Sequence, residues 1–151
     1  MKREETVDHH IKATWHSISR MYNQRAAQFE ATMAEGFALL NIKSDEGTPA
    51  TKIGPMMGLE ARSITRILKR LEEEGMITKK RDTEDGRSVN IYLTPEGQQK
   101  KEIAADAVIG FNTRVRDHIA EDELNIFFNV MEKINGVVDM EVQNLNNKNN
   151  E

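Results

Sequence analysis

The chain has 151 residues, no cysteine and a formal charge of −4 at pH 7. That length suits one domain with its own core, and the absence of thiols excludes structural disulfides and thiolate metal sites. No apolar run is long enough to span a membrane, and Met1-Lys2-Arg3-Glu4-Glu5 opens a charged helix rather than a targeting peptide, so the cytoplasm is the expected location.

Val7, Ile11, Trp15, Ile18, Tyr22 and Phe29 recur at spacings of three, four or seven, which predicts a long first helix over 4–29. Met33, Phe37, Leu39 and Leu40 mark a second helix over 31–41, followed by a polar loop at 43–47. Thr48-Pro49 carries a cap-plus-proline signal for a helix over 49–57, with Ile53 and Met57 facing inward. Gly58 makes the next turn. Gly54-Pro55 is unusual there, because a helical proline lacks the N–H for its bond and kinks or tightens the helix. His9, His10 and His16 cluster on the first helix, yet metal binding needs three or four convergent ligands. No metal and no other cofactor is expected.

The stretch 59–97 is the most informative. Ile64, Ile67, Leu68 and Leu71 fall at i, i+3, i+4 and i+7, one apolar stripe. The other face carries Arg62, Arg66, Lys69 and Glu73, with Ser63 and Arg70 on its flank, and the cationic run ends at Glu72-Glu73-Glu74. A helix of this shape fits a major groove, where Arg bridges guanine O6 and N7 and the N-terminal part reads the bases. Glu60 is a weak N-cap for it. Gly75 suits a left-handed cap. A strand follows through Lys79, Lys80 and Arg81, then a turn at 82–86 with the hairpin pair Asp85-Gly86. Val89, Ile91 and Leu93 alternate with polar partners as a second strand, and Thr94-Pro95 opens a new helix. Arg87 lies just past the hairpin tip, placed either to enter a narrow minor groove or to pair with Asp82 or Asp85.

Ile103, Ala107, Phe111, Val115 and Ile119 recur every four residues, and Leu124, Phe127, Phe128, Met131, Ile134, Val138, Val142 and Leu145 mark a last helix. Such long stripes in a small chain predict subunit pairing. The polar residues 146–151 are expected to be a disordered tail. The charge is unevenly spread: net 0 over 1–42, +1 over 43–93 and −5 over 94–151, with four cations and no anion over 62–70. Binding follows the local footprint more than the total.

The order basic helix, strand, turn, strand, helix resembles the multiple antibiotic resistance regulator (MarR) family. The matching residues are Ser63, Thr65, Arg66, Leu71, Glu72, Gly75, Met76 and Ile77; Asp82, Asp85 and Arg87; and Leu93, Thr94 and Gly97. The resemblance implies a mainly α fold with a small β wing. One domain fills 1–151, with a winged helix-turn-helix over 31–97 between dimerisation helices at 1–30 and 98–145. It implies double-stranded DNA as partner, with Arg62, Ser63, Thr65, Arg66, Lys69 and Arg70 on the recognition helix and Lys79, Lys80, Arg81, Asp85 and Arg87 on the wing. Arg87 would enter the minor groove, oriented by Asp85. It further implies a homodimer on a pseudo-palindromic site, most simply a repressor, released by a small aromatic or amphipathic anion. Trp15, His16, Arg20 and Tyr22 are the candidate lining of that effector pocket. Without cysteine the thiol route of peroxide sensing used in this family is closed. No phosphate loop, nucleophile elbow or paired zinc motif points to an enzyme. The other reading is a winged-helix protein-interaction module or anti-regulator without specific DNA binding.

Overall fold

The N-terminal apolar stripe forms one helix, α1 (Val7–Ala27), after a single 3-10 turn at Arg3–Glu5, in the computed structural model. The structure describes residues 2–81, 86 and 88–148. By compactness the chain divides into two units, Met1–Val108 and Ile109–Glu151. Tyr22 is the buried residue of α1, and its ring meets Phe37 edge-on at 5.6 Å.

α2 (Met33–Leu40) begins with a capping box. The Thr32 hydroxyl accepts from Glu35 N at 3.2 Å, and the Glu35 carboxylate accepts from Thr32 N at 2.7 Å. Two otherwise unpaired amides are thereby satisfied, which fixes where α2 starts.

The expected helix follows, with Pro49 as its N-cap residue, but the Thr48 side chain does not cap it. Thr48 and Pro49 form a two-residue strand, β1 (Thr48–Pro49), with Thr48 opposite Ile91. The residue before a proline is driven to extended backbone, which favours a strand here. The Thr48 hydroxyl instead accepts from Lys43 N at 2.9 Å and closes the preceding loop. α3 (Ala50–Met56) therefore starts without a side-chain cap.

The Gly54-Pro55 pair now has a physical reason. Pro55 stands in the last turn of α3, and the helix ends one residue later. A Cβ on residue 54 would lie 3.1 Å from Ile64 Cγ2 and 3.2 Å from Leu59 O, so glycine lets α3 and the next helix approach closely. Gly58 turns the chain at φ +64°.

α4 (Ala61–Glu73) buries Ile64, Leu68 and Leu71. At its end Gly75 takes φ +73°, Met76 N bonds Leu71 O at 2.8 Å and Gly75 N bonds Glu72 O at 3.0 Å. This is the Schellman pattern, and the left-handed residue it needs is the glycine expected from the sequence. β2 (Ile77–Arg81) and β3 (Val89–Leu93) pair antiparallel, Ile77 opposite Leu93 and Arg81 opposite Val89. The sheet order is β1-β3-β2. One core joins these elements, built on Ala38, Leu39, Ile42, Ile53, Ile64, Leu68, Leu71, Ile77 and Ile91.

α5 (Pro95–His118) opens on Thr94, whose hydroxyl accepts from Gly97 N at 3.0 Å and donates to Gly75 O at 2.6 Å. α6 (Glu121–Lys148) carries the helix through Asn146, Asn147 and Lys148, where a disordered tail was expected. No glycine or proline lies between Val137 and Lys148, and asparagine alone is only weakly unfavourable in a helix. Residues 149–151 lie outside the described residues.

Candidate nucleic-acid interface and adjoining cavity

Packing of the Ile64, Leu68 and Leu71 stripe turns the rest of α4 outward, so Arg62, Ser63, Thr65, Arg66, Lys69 and Arg70 are all exposed. They are not equivalent. Among the described residues, neither Arg62 nor Arg66 has a carboxylate partner. The Thr65 hydroxyl donates to Ala61 O at 2.7 Å, inside its own helix. Lys69 is 3.7 Å from Glu73, an exposed i,i+4 pair of little strength. The N-terminal two turns thus present two unpaired guanidinium groups and the Ser63 hydroxyl.

Arg70 is placed differently. Its Nε donates to Glu74 Oε1 at 2.8 Å and lies 2.8 Å from Glu35 Oε1 on α2. The guanidinium pKa is raised further by the Glu74 hydrogen bond, then by the charges of Glu35 and Glu74. Glu74 at the end of α4 and Glu35 on α2 hold this side chain away from the N-terminal half of the helix. On the flank of the outer face, where the sequence pattern put it, it also lines the wall of a cavity.

On the wing, Lys79 pairs with Glu72 at 2.7 Å, which ties β2 to the end of α4. The Lys80 ammonium stands 5.1 Å from the centroid of the Tyr92 ring. Arg81 is exposed at the end of β2. Asp85 and Arg87 lie outside the described residues.

The cavity has a volume of about 720 Å³ and lies wholly within the first unit. The end of α1, α2, the C-terminal end of α4 and the first turns of α5 wall it. Tyr22, Phe29, Phe37 and Ile103 give it an apolar lining, with Arg25, Arg70 and Lys100 against Glu30, Glu35, Glu74 and Asp106. Lys100 donates to Phe29 O and sits 6.0 Å from that ring. Of the four residues expected to line an effector pocket, Tyr22 does so. Trp15, His16 and Arg20 are exposed on α1 and do not line it. The reason is helical geometry: Trp15 and His16 lie about two turns before Tyr22, and Arg20, two residues from it, falls on the opposite face of the helix. Sequence reasoning missed Glu35 and Arg70 as partners. The Thr32-x-x-Glu35 capping signature was there to be read, but a pairing over 35 residues of chain was not.

Away from the cavity, two helices leave apolar faces uncovered. α1 exposes Val7, Ile11 and Trp15. α6 exposes Phe127, Phe128, Val138 and Leu145 by half or more.

Comparison with known proteins agrees with this architecture. Residues 31–89 match the model of the MarR family. The chain is similar to the organic hydroperoxide resistance transcriptional regulator of Bacillus subtilis, 34% identical over 106 residues, which is 70% of this chain and 72% of that protein. Among solved structures, the MepR–DNA complex from S. aureus superposes with TM-score 0.82 at 19% identity, covering 88% of this chain and 98% of that one. PcaV from Streptomyces coelicolor, in complex with its natural ligand, superposes with TM-score 0.79 at 21% identity, covering 91% and 97%.

Proposed function

The chain belongs to the MarR family of DNA-binding transcription regulators, and from that premise we propose that it acts as a homodimeric repressor released from its operator by a small molecule. The observation that carries this reading is the N-terminal half of α4, where Arg62, Ser63 and Arg66 face solvent with no described carboxylate against the two arginines. A guanidinium left free can bridge a guanine edge or hold a phosphate. Lys79, Lys80 and Arg81 close β2 and precede Arg87 in the sequence, which suits a wing that reaches the adjoining minor groove.

The uncovered apolar faces of α1 and α6 support pairing with a second copy of the chain, since monomers rarely expose such stripes. A two-fold dimer offers two α4 helices to successive major grooves, so the operator is a pseudo-palindrome with half-sites about one helical turn apart. The cavity supports control by a ligand, because its wall includes the end of the DNA-reading helix itself. That MepR was solved on DNA and PcaV with a ligand supports both halves of the reading by analogy.

The test is binding of the purified protein to DNA from its own upstream region, titrated against salt, with Arg87→Ala alongside. The expected result is tight, salt-sensitive binding that the substitution weakens, with the salt slope reduced by about one if Arg87 holds a phosphate. Binding no stronger than to unrelated DNA at every salt concentration overturns the reading.

A further inference from the structure

Arg70–Glu35 is the only ion pair joining α4 to α2 among the described residues. The Nε of Arg70 carries a single hydrogen, and two carboxylate oxygens stand 2.8 Å from it. Engaging Glu74 keeps Arg70 within its own helical segment, four residues on. Engaging Glu35 ties α4 to α2 and to the cavity wall. In the structure the side chain touches both carboxylates at once, so a group that displaced it from Glu35 would leave it on Glu74 and break the link between α4 and α2.

The two carboxylates differ in what they can tolerate. The Glu35 side chain is 4% exposed, and its second oxygen is committed to Thr32 N. The Glu74 side chain is 38% exposed and Arg70 is 51% exposed. An anion that drew Arg70 away would leave Glu35 buried without a countercharge, which is strongly unfavourable. A cation that took the place of Arg70 on Glu35 would leave nothing uncompensated, because Arg70 retains Glu74 and water. The charged residues of the lining point the same way, with four carboxylates against three cations. The rings of Tyr22, Phe29 and Phe37 suit the body of an aromatic ligand and also attract cations.

We propose that the cavity takes an amphipathic organic amine, whose protonated nitrogen replaces Arg70 on Glu35 and thereby releases α4 from α2. This rests on the regulator reading above and departs from the anion that the family resemblance implies. A cationic nitrogen is required, because buried Glu35 must keep a countercharge in place of the ion pair it loses.

The experiment uses three probes with the same ring and chain: 4-phenylbutylamine, 4-phenylbutyrate and 4-phenylbutanol. Each is titrated by calorimetry into the full-length protein and into Glu35→Gln, Glu74→Gln and Arg70→Gln. Glutamine at position 35 keeps the capping box while removing the charge. The expected result is a preference for the amine over the other two on the order of tenfold. Glu35→Gln abolishes that preference. Arg70→Gln strengthens amine binding by removing its competitor, and Glu74→Gln weakens it by pushing Arg70 onto Glu35. A purely structural role would move all three probes in one direction. Equal or tighter binding of the butyrate, or Arg70→Gln and Glu74→Gln changing amine affinity with the same sign, overturns the proposal. In a parallel DNA titration the amine lowers affinity on the order of tenfold. DNA binding that no probe affects refutes the α4 release but leaves the DNA-binding reading intact. Loss of sequence-specific binding in the unliganded protein strikes that reading instead.

Discussion

Substituting Gly97 by alanine tests how the recognition helix and the wing are fixed in place. A Cβ at this position would lie 1.8 Å from Met76 O and 2.9 Å from Met76 C, both backbone atoms. No rotamer change relieves such a contact, so the start of α5 must part from the Gly75–Met76 corner by more than an ångström. That movement breaks the Thr94 N to Met76 O bond at 3.1 Å and the Thr94 Oγ1 to Gly75 O bond at 2.6 Å. Two hydrogen bonds at about 1 kcal/mol each and overpacking of about 1–3 kcal/mol give a loss of roughly 3–5 kcal/mol. Gly75→Ala is the control. Residue 75 has φ +73° but nothing within 4 Å of an added Cβ, so it suffers only the left-handed backbone penalty of about 1–2 kcal/mol. At about 2–4 °C per kcal/mol, Gly97→Ala should lower Tm by about 6–20 °C and Gly75→Ala by about 2–8 °C. Thermal unfolding followed by circular dichroism at one fixed protein concentration measures both. A drop for Gly97→Ala no larger than for Gly75→Ala would refute the backbone-clash argument.

Arg66→Ala should weaken operator binding by about 1–3 kcal/mol if the side chain reads a base, and equally across sequences with a smaller salt slope if it holds a phosphate; anisotropy on operator and scrambled DNA separates the two, and no change in either removes Arg66 from the interface. Phe127→Glu with Val138→Glu should convert a dimer to monomers in analytical ultracentrifugation, because both side chains are half exposed on α6 and a charge opposed to a second apolar face cannot be hydrated. An unaltered sedimentation coefficient would place the dimer contact elsewhere. The Glu46 carboxyl is held below its ordinary pKa by a hydrogen bond from Lys43 and then by that residue's charge. A depressed carboxylate stabilises the fold above its unfolded pKa and loses this as pH falls through the folded value. The pair is exposed and therefore weak, so Glu46→Gln should leave the acid limb of the unfolding curve unmoved at moderate salt. A clear shift toward lower stability at neutral pH would show that this loop holds more of the fold than its exposure indicates.

What the sequence revealed was local, and what it concealed was long-range. The α4 stripe, the Gly75 cap and the opening of α5 at Thr94 each depend on residues within one or two turns, so spacing alone exposes them. Gly97 was visible as part of a motif, but the reason only glycine fits is a carbonyl 21 positions away. Thr48-Pro49 did announce the helix that starts at Ala50, but Thr48 does not cap it, because its hydroxyl closes the preceding loop and its backbone pairs with β3. Arg70 is the instructive case. By helical periodicity it lies on the flank of the face that carries Arg66, and in the nearby chain only Glu74, at i+4, argues for another partner. Glu35 decides its role, from another helix and from a buried position that a carboxylate tolerates only when a cation answers it. A charged residue on an amphipathic helix is thus assigned to solvent, nucleic acid or a ligand site by the burial of its partner, a quantity that periodicity does not contain.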